Sequence, residues 1–333
     1  MNKKRIRIQF VNGLEFKYAI PEILSPLLEE FTFIESDNPE VLVFGPYGNN
    51  IPKGKYIRVG YFCENFLPDM SICDWGFGIP NASEINHPQY TRIDYHGFEI
   101  KSLIRPDHFA EQAMNQKTKF CNFLYGNQVP YREHFFQELS KYKKIDAPGR
   151  SMNNHPPLEH DKKLGLWESK RQFLVPYKFT IAFENYTYPG YNTEKLLDPL
   201  LAGSIPIYIG NPDIENQFSP LSFVHGRRFI KNNRTPFLKN WEKSVQADFQ
   251  DWRPSHFNKP WHQIKRKLKF MGRNLKLNWE FKDGFQPLIE EIIRLDQDDN
   301  AYYSLLNSPV YPEGKLPDRS LFFNQWRNIF NKI

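Results

Sequence analysis

The sequence predicts an α/β protein built from two parallel sheets, each covered by helices. Three observations predict it. Short apolar runs bounded by turn residues recur along the chain, helical patterns lie between several of them, and the stretch 101–117 has little strand character and separates an N-terminal from a C-terminal group. Strand and helix alternating in this way is the pattern of parallel sheets with helical crossovers.

The runs, in order, are RIRIQFV (5–11), VLVFG (41–45), YIRVGYF (56–62) and WGFGI (75–79), then KFCNFLYG (119–126), KFTIAF (178–183) and IPIYIG (205–210). Each has the length and the β-branched or aromatic content of a buried strand. YREHFFQELSKY (131–142) and TEKLLDPLLAG (193–203) read as helices between strands. Open sheets of this kind bind ligands in the crevice at the carboxyl ends of their strands.

The 333 residues suffice for one large or two ordinary domains, and 40% hydrophobic with 16% aromatic residues suits a packed core. A net charge of +6 fits a phosphate-bearing partner or an anionic membrane surface. It does not demand nucleic acid, and no nucleic-acid recognition motif is present. Cys63, Cys73 and Cys121 have no CxxC spacing, which points to a reducing compartment rather than a disulfide framework. The N-terminus lacks the apolar core of a signal peptide, and no run approaches the roughly 18 apolar residues of a spanning helix. A soluble, cytoplasmic protein is expected.

The richest stretch is FENYTYPGYNTEKLLDPLLAG (183–203). With KFTIAF as a parallel strand, Glu184 and Asn185 should emerge at its carboxyl end, inside the crevice. Asn192 or Thr193 can cap the next helix. Glu194 and Lys195 then fall in its first turn, where free N–H groups attract anions. Tyr188 and Tyr191 offer flat faces or phenolic donors. Leu196, Leu197, Leu200 and Leu201 form an inward face, Gly203 is placed to end the helix, and Pro199 breaks its regularity. Read alone, Glu194 and Lys195 suit an anion site and a capped helix start equally.

This stretch resembles the signature of the α1,3/4-fucosyltransferases, glycosyltransferase family 10. The matching residues are Phe183-Glu184-Asn185, Tyr191, Thr193-Glu194-Lys195, Ala202-Gly203, SIPIYIGNPD (204–213) and FSPLSFVHG (218–226). KFCNFLYGNQVPYREHFFQEL (119–139), with Arg132 at its helix start, and GYFCENFLPDMSICDWGFGI (60–79), with Glu64, are similar to two further segments of that family. The resemblance implies a bacterial-type member of GT-B fold, with two Rossmann-like domains facing each other across a cleft. It implies residues 1–105 as the acceptor-binding domain, 106–305 as the GDP-fucose-binding domain and 306–333 as a helical tail. It further implies an inverting transfer of L-fucose to a glycan hydroxyl, O3 of an N-acetylglucosamine or glucose unit, on an oligosaccharide or lipid-linked acceptor. Glu64 would be the base, and Arg132 and Lys195 would hold the diphosphate. Asn185, Tyr191 and Glu194 would orient the donor, with Arg150 a further phosphate contact. No metal is then required, and a divalent ion would at most stimulate. Tyr186 departs from the family, many of whose members carry a small residue there. A transferase using another nucleotide sugar and a non-catalytic glycan-binding relic of the fold are the alternatives.

Other signals point elsewhere. Asp296-Gln297-Asp298 is a DxD tripeptide, but it follows an amphipathic helix rather than a buried strand and reads as a solvated helix end. His155 and His160 lack metal-ligand spacing. IKRKLKFMGRNLKL (264–277) mixes six basic residues with apolar ones, and reads equally as a peripheral membrane contact or as a helix with its charges in water. Phe322, Trp326, Ile329 and Phe330 recur at helical spacing and should pack the tail against the body.

Overall fold

The computed structural model describes residues 3–47, 53–64, 66–96, 99–158, 165–185, 187–230 and 283–333, with scattered positions from 260 to 281. The first six strands are β1 (Lys4–Val11), β2 (Phe31–Glu35), β3 (Val41–Phe44), β4 (Ile57–Phe62), β5 (Trp75–Gly78) and β6 (Tyr90–Arg92). They form one sheet in the order β2-β1-β3-β4-β5-β6, every pair parallel. Helices α1 (Phe16–Ile23) and α2 (Ala82–Ile85) belong to this half. A 3₁₀ turn (Ile100–Leu103) and α3 (Phe109–Asn115) fill the connecting stretch that the sequence marks as poor in strand.

The second sheet holds β7 (Lys119–Asn122), β8 (Ile145–Asp146), β9 (Tyr177–Phe183), β10 (Ile205–Ile209) and β11 (Val224–His225), ordered β11-β10-β9-β7-β8 and again parallel. Helices α4 (Pro130–Ser140), α5 (Leu166–Leu174) and α6 (Glu194–Leu201) connect its strands. In both sheets the strand order reverses beside the first strand, between β1 and β3 and between β7 and β9. Those switch points open crevices at the carboxyl ends, and the loops that follow β1, β3, β7 and β9 line them.

Helices α7 (Gln286–Gln297) and α8 (Asp299–Asn307) cover the second sheet, and α9 (Ser320–Phe330) returns to the first. The spacing of its apolar residues explains that return. Trp326 is fully buried and stacks on Phe77 of β5 with ring centroids 4.5 Å apart, while Lys4 donates to the carbonyls of Phe330 and Ile333.

The DxD tripeptide is not a solvated helix end, contrary to expectation. Asp296 lies in the last turn of α7 at 9% exposure and accepts from Tyr142 Oη (2.9 Å) and Lys143 Nζ (2.5 Å), with Lys178 Nζ 3.4 Å away. Asp298 caps α8 through the Ala301 N–H. Both carboxylates serve the fold. Burial pushes the Asp296 carboxyl up, but Lys143, Tyr142 and Lys178 outweigh it and hold the group below the usual Asp range. Its stabilisation is therefore present above pH 3.8 and is lost as the pH falls through the depressed folded-state value. Asp296→Ala should lower stability in urea titrations at pH 7 by about 2–3 kcal/mol, short of the roughly 3–5 kcal/mol of a fully buried pair because Lys143 is half exposed. An unchanged midpoint would contradict this account of the tripeptide. Of the two histidines, His155 packs edge-on against Phe173, and His160 lies outside the described residues.

Candidate active site

The site begins where β7 and β9 part. Tyr125 follows β7, and its buried hydroxyl donates to the carbonyls of Ile181 and Phe183 while accepting from the Phe183 N–H at 2.7 Å. That ring is a platform. The Arg132 guanidinium, from the first turn of α4, lies 3.6 Å from its centroid and is completely buried. Arg132 Nη1 donates to Phe183 O and Asn185 Oδ1 (both 3.1 Å), and Nη2 donates to Asn127 O (2.8 Å). Among the described residues it pairs with no carboxylate, and its Nε has no acceptor. A buried cation met only by neutral oxygens and a ring is costly unless an anion comes close. Arg132 sits behind the loops after β7 and β9 and ties them together.

Lys195, in the first turn of α6, lines the same hollow as Tyr125. Thr193 caps α6 by accepting from the Lys195 N–H, and Thr193 is itself held by Glu184, whose carboxylate accepts from Thr193 N (3.0 Å) and Oγ1 (2.8 Å). Glu184 is fully buried rather than facing the crevice, again contrary to expectation; it orients the helix start. Lys195 Nζ lies 3.4 Å from Glu184 and 3.2 Å from Glu194. Burial pulls the ammonium down, but the two carboxylates outweigh it and Lys195 stays charged, above its usual range. Burial pushes Glu184 up, only partly offset by Lys195. Burial raises Glu194 too, but Lys195 and Lys170 prevail and it is held below the usual range. Burial drives the Tyr125 hydroxyl up to about 12, opposed by Arg132 and Lys195. The two cations thus act on one ring from different elements.

The far end of α6 closes soon after Pro199. The helix is only eight residues long, and the Pro199 carbonyl closes it by accepting from Ser204 N (2.9 Å) across Gly203, whose φ of +66° completes the turn. Asp198 accepts from Arg171 Nε and forms an ion pair with Lys170 of α5, which fixes α6 laterally. Tyr125, Lys170, Leu174, Glu194, Lys195, Asp198 and their neighbours line this small half-open hollow of ≈ 20 Å³, about the room of one water. Arg150 is exposed, with its guanidinium over Gly126 beside this crevice, and it makes no ion pair among the described residues.

Glu64 comes from the first sheet, two residues beyond β4. Its Oε2 accepts from Tyr191 Oη at 3.2 Å. Tyr191 therefore does not present an open face: it is 3% exposed and, with Tyr188, is packed into the core of the first sheet. Tyr188 donates to Glu84, and Gly190 (φ +83°) leaves room for Arg92, whose Nη2 would meet a Cβ at 1.9 Å. The connection after β9 thus begins in one half and is buried in the other. Tyr47, which sequence reasoning missed, follows β3 at the first switch point, and burial together with the nearby Glu64 carboxylate holds its phenol well above the usual range. The turn residues that end VLVF were the available signal, since a strand end at a switch point faces the crevice. Asn65 and Tyr186 lie outside the described residues.

The structure therefore assembles Glu194 and Lys195 on the hollow, Arg132 and Asn185 behind Tyr125, Arg150 at the rim, and Glu64 against Tyr191. Residues 114–273 match glycosyltransferase family 10 (fucosyltransferase), C-terminal part. An α-(1,3)-fucosyltransferase of Helicobacter pylori is 26% identical over 283 residues, 73% of this chain and 55% of that protein. α-(1,3)-Fucosyltransferase B of Drosophila melanogaster is 40% identical over 147 residues, 43% of this chain and 30% of that one. GDP-fucose protein O-fucosyltransferase 3 of Xenopus tropicalis is 30% identical over 128 residues, 37% and 27% of the two chains. The chain spans about half or less of the length of these relatives. A crystal structure of an α1,3-fucosyltransferase with GDP-fucose superposes with a TM-score of 0.60 over 99% of this chain and 91% of that chain at 19% identity, which shows a shared GT-B fold.

Proposed function

We propose that this chain, whose residues 114–273 match glycosyltransferase family 10, is a fucosyltransferase that moves L-fucose from GDP-fucose to a glycan hydroxyl, O3 of an N-acetylglucosamine or glucose unit, with inversion. The observation that carries this reading is Arg132: a fully buried cation without a carboxylate partner among the described residues, stacked on the Tyr125 ring, which with charged Lys195 lines the hollow. That is an environment suited to a diphosphate. In the proposed step the acceptor oxygen attacks C1 of fucose, Glu64 takes the hydroxyl proton, and the C1–O bond to the β-phosphate breaks with its electron pair leaving on GDP. Lys195, the α6 N-terminus and Arg132 meet the growing charge. Glu194 and Asn185 orient the donor, and Arg150 reaches the phosphates from the rim. A divalent ion would at most stimulate.

Incubation with GDP-fucose and an oligosaccharide panel, read by mass spectrometry, should yield a product one deoxyhexose heavier. Transfer from GDP-mannose or a UDP-sugar instead would assign another donor, and no transfer from any nucleotide sugar would favour a glycan-binding relic.

The exposed residues Trp261, Ile264, Leu268, Met271 and Leu275 favour a second feature of this reading, a cytoplasmic enzyme peripheral at the inner face of a membrane. They are at least half exposed and spaced as one helical stripe, and residues 261–277 contain six basic and no acidic residues. Of the remaining positions of 264–277, Lys267 and Gly272 are described and the others lie outside the described residues. The protein should sediment with phosphatidylserine-containing vesicles and not with neutral ones; recovery in the supernatant with both would contradict the membrane contact.

A further inference from the structure

The turn that leads into α6 is held from outside its own half. The Tyr191 N–H donates to Tyr188 O at 3.1 Å, so residues 188–191 form a tight turn through Gly190 at φ +83°. The Tyr188 hydroxyl donates to the Glu84 carboxylate of α2, which belongs to the first half. Glu84 is set in turn by Asn81 Nδ2 (3.1 Å), and Asn81 Oδ1 accepts from Nη1 of Arg92 (2.5 Å) at the end of β6. The Arg92 guanidinium lies against Gly190 itself, in the space a side chain would need. Asp94 Oδ1 steadies it, 3.4 Å from Arg92 Nε. At the far end of the turn, Asn192 Nδ2 donates to Gln217, whose Nε2 reaches the Asp94 carbonyl at 3.2 Å. The first half thus grips the turn at both ends.

A connection that contains glycine has many conformations when free, and ordering it at the moment of binding subtracts from affinity. Here side chains outside the nucleotide's half have already ordered it. Thr193, Glu194 and Lys195 follow the turn at once, so its position fixes where α6 presents its first N–H groups and its ammonium. We propose that Glu84 is a positioning residue for the donor site: with Asn81 and Arg92 it clamps the 188–192 turn, so that the first half sets the affinity of the second for a nucleoside diphosphate. The inference rests on the reading of the α6 start as the diphosphate site, and it names residues of the first half that need not touch the nucleotide.

The test is Tyr188→Phe, which removes one hydroxyl and keeps the ring buried in the first-half core. Calorimetric GDP affinity should fall, and KM for GDP-fucose rise, about 3–10-fold, because apparent affinity drops with the fraction of molecules in which the turn stands ready. The loss is partial because Gln217 still ties Asn192 to Asp94. At saturating GDP-fucose kcat should hardly move, and neither should the melting temperature. Glu84→Ala should give the same loss, and adding Tyr188→Phe to it should cost nothing more. Glu84→Gln, which keeps an acceptor oxygen for the phenol, should recover most of the affinity. Wild-type GDP affinity in both Tyr188→Phe and Glu84→Ala would overturn the clamp and leave the donor reading intact. Additive losses would overturn it as well, and so would kcat and melting temperature falling together with affinity, the mark of a general packing role. If the wild-type protein bound no GDP, the donor reading itself would have failed and the clamp with it.

Discussion

Replacing Glu64 with alanine lowers fucosyl transfer by at least about 10²–10⁴-fold, the usual contribution of a positioned general base, and leaves GDP affinity within about twofold of wild type, since the contacts nominated for the nucleotide lie in the other half. Two facts separate those effects. Glu64 lies beyond β4 of the first sheet and accepts from the Tyr191 phenol. The nucleotide side is built on β7, β9 and α6, whose fixed groups do not depend on Glu64. Steady-state rates set beside calorimetric GDP titrations measure the split. A GDP affinity that fell as steeply as the rate would mean that Glu64 holds the donor, and the assignment of the base would be lost.

Lys195→Met weakens GDP by about 10–100-fold, the equivalent of the roughly 1.5–3 kcal/mol of a hydrogen bond to a charged group. Methionine keeps the length of the side chain and removes only its charge. The loss has two parts. Lys195 no longer attracts the diphosphate, and Glu194 beside it is no longer neutralised and repels it. The substitution also leaves Glu184 buried without its cation, so the melting temperature should drop, and the titration belongs well below it. Lys195→Arg keeps a charge at this position and should retain most of the affinity. GDP affinity unchanged in Lys195→Met would remove the lysine from the site.

How much of this was legible in the sequence follows from what is local and what is not. The strand KFTIAF, the Thr193 cap, the Lys195 position in the first turn and the Gly203 end are local events, set by side chains within a few residues of one another, and the structure has each of them. The parallel sheets were legible for the same reason, because buried strands are continuous apolar runs. Strand β2 (FTFIE) escaped notice: it is a short edge strand, half exposed, and lacks such a run. β8 and β11 are two residues each, below what periodicity can register. Arg132 shows the limit at the site. Its place at a helix start could be read, but that its guanidinium folds back over Tyr125 depends on a loop 50 residues away in sequence. Asp296 is similar: its lysines come from the connection after α4 and from β9, so an aspartate that looks solvated is buried, while Gln297 and Asp298 stay exposed. Tyr191 could be singled out as chemistry, yet its partner Glu64 is 127 residues distant, and only the packing of the two halves brings them together.

The two cations around Tyr125 are the centre of the account, and comparing GDP, GMP and guanosine by calorimetry on the wild-type protein addresses them most directly. A site organised around Arg132 and Lys195 should bind GDP at least about tenfold more tightly than GMP and guanosine weakest of all, with GDP affinity falling as salt is raised. Equal affinity for the three, insensitive to salt, would mean that the phosphates meet no cationic pocket here.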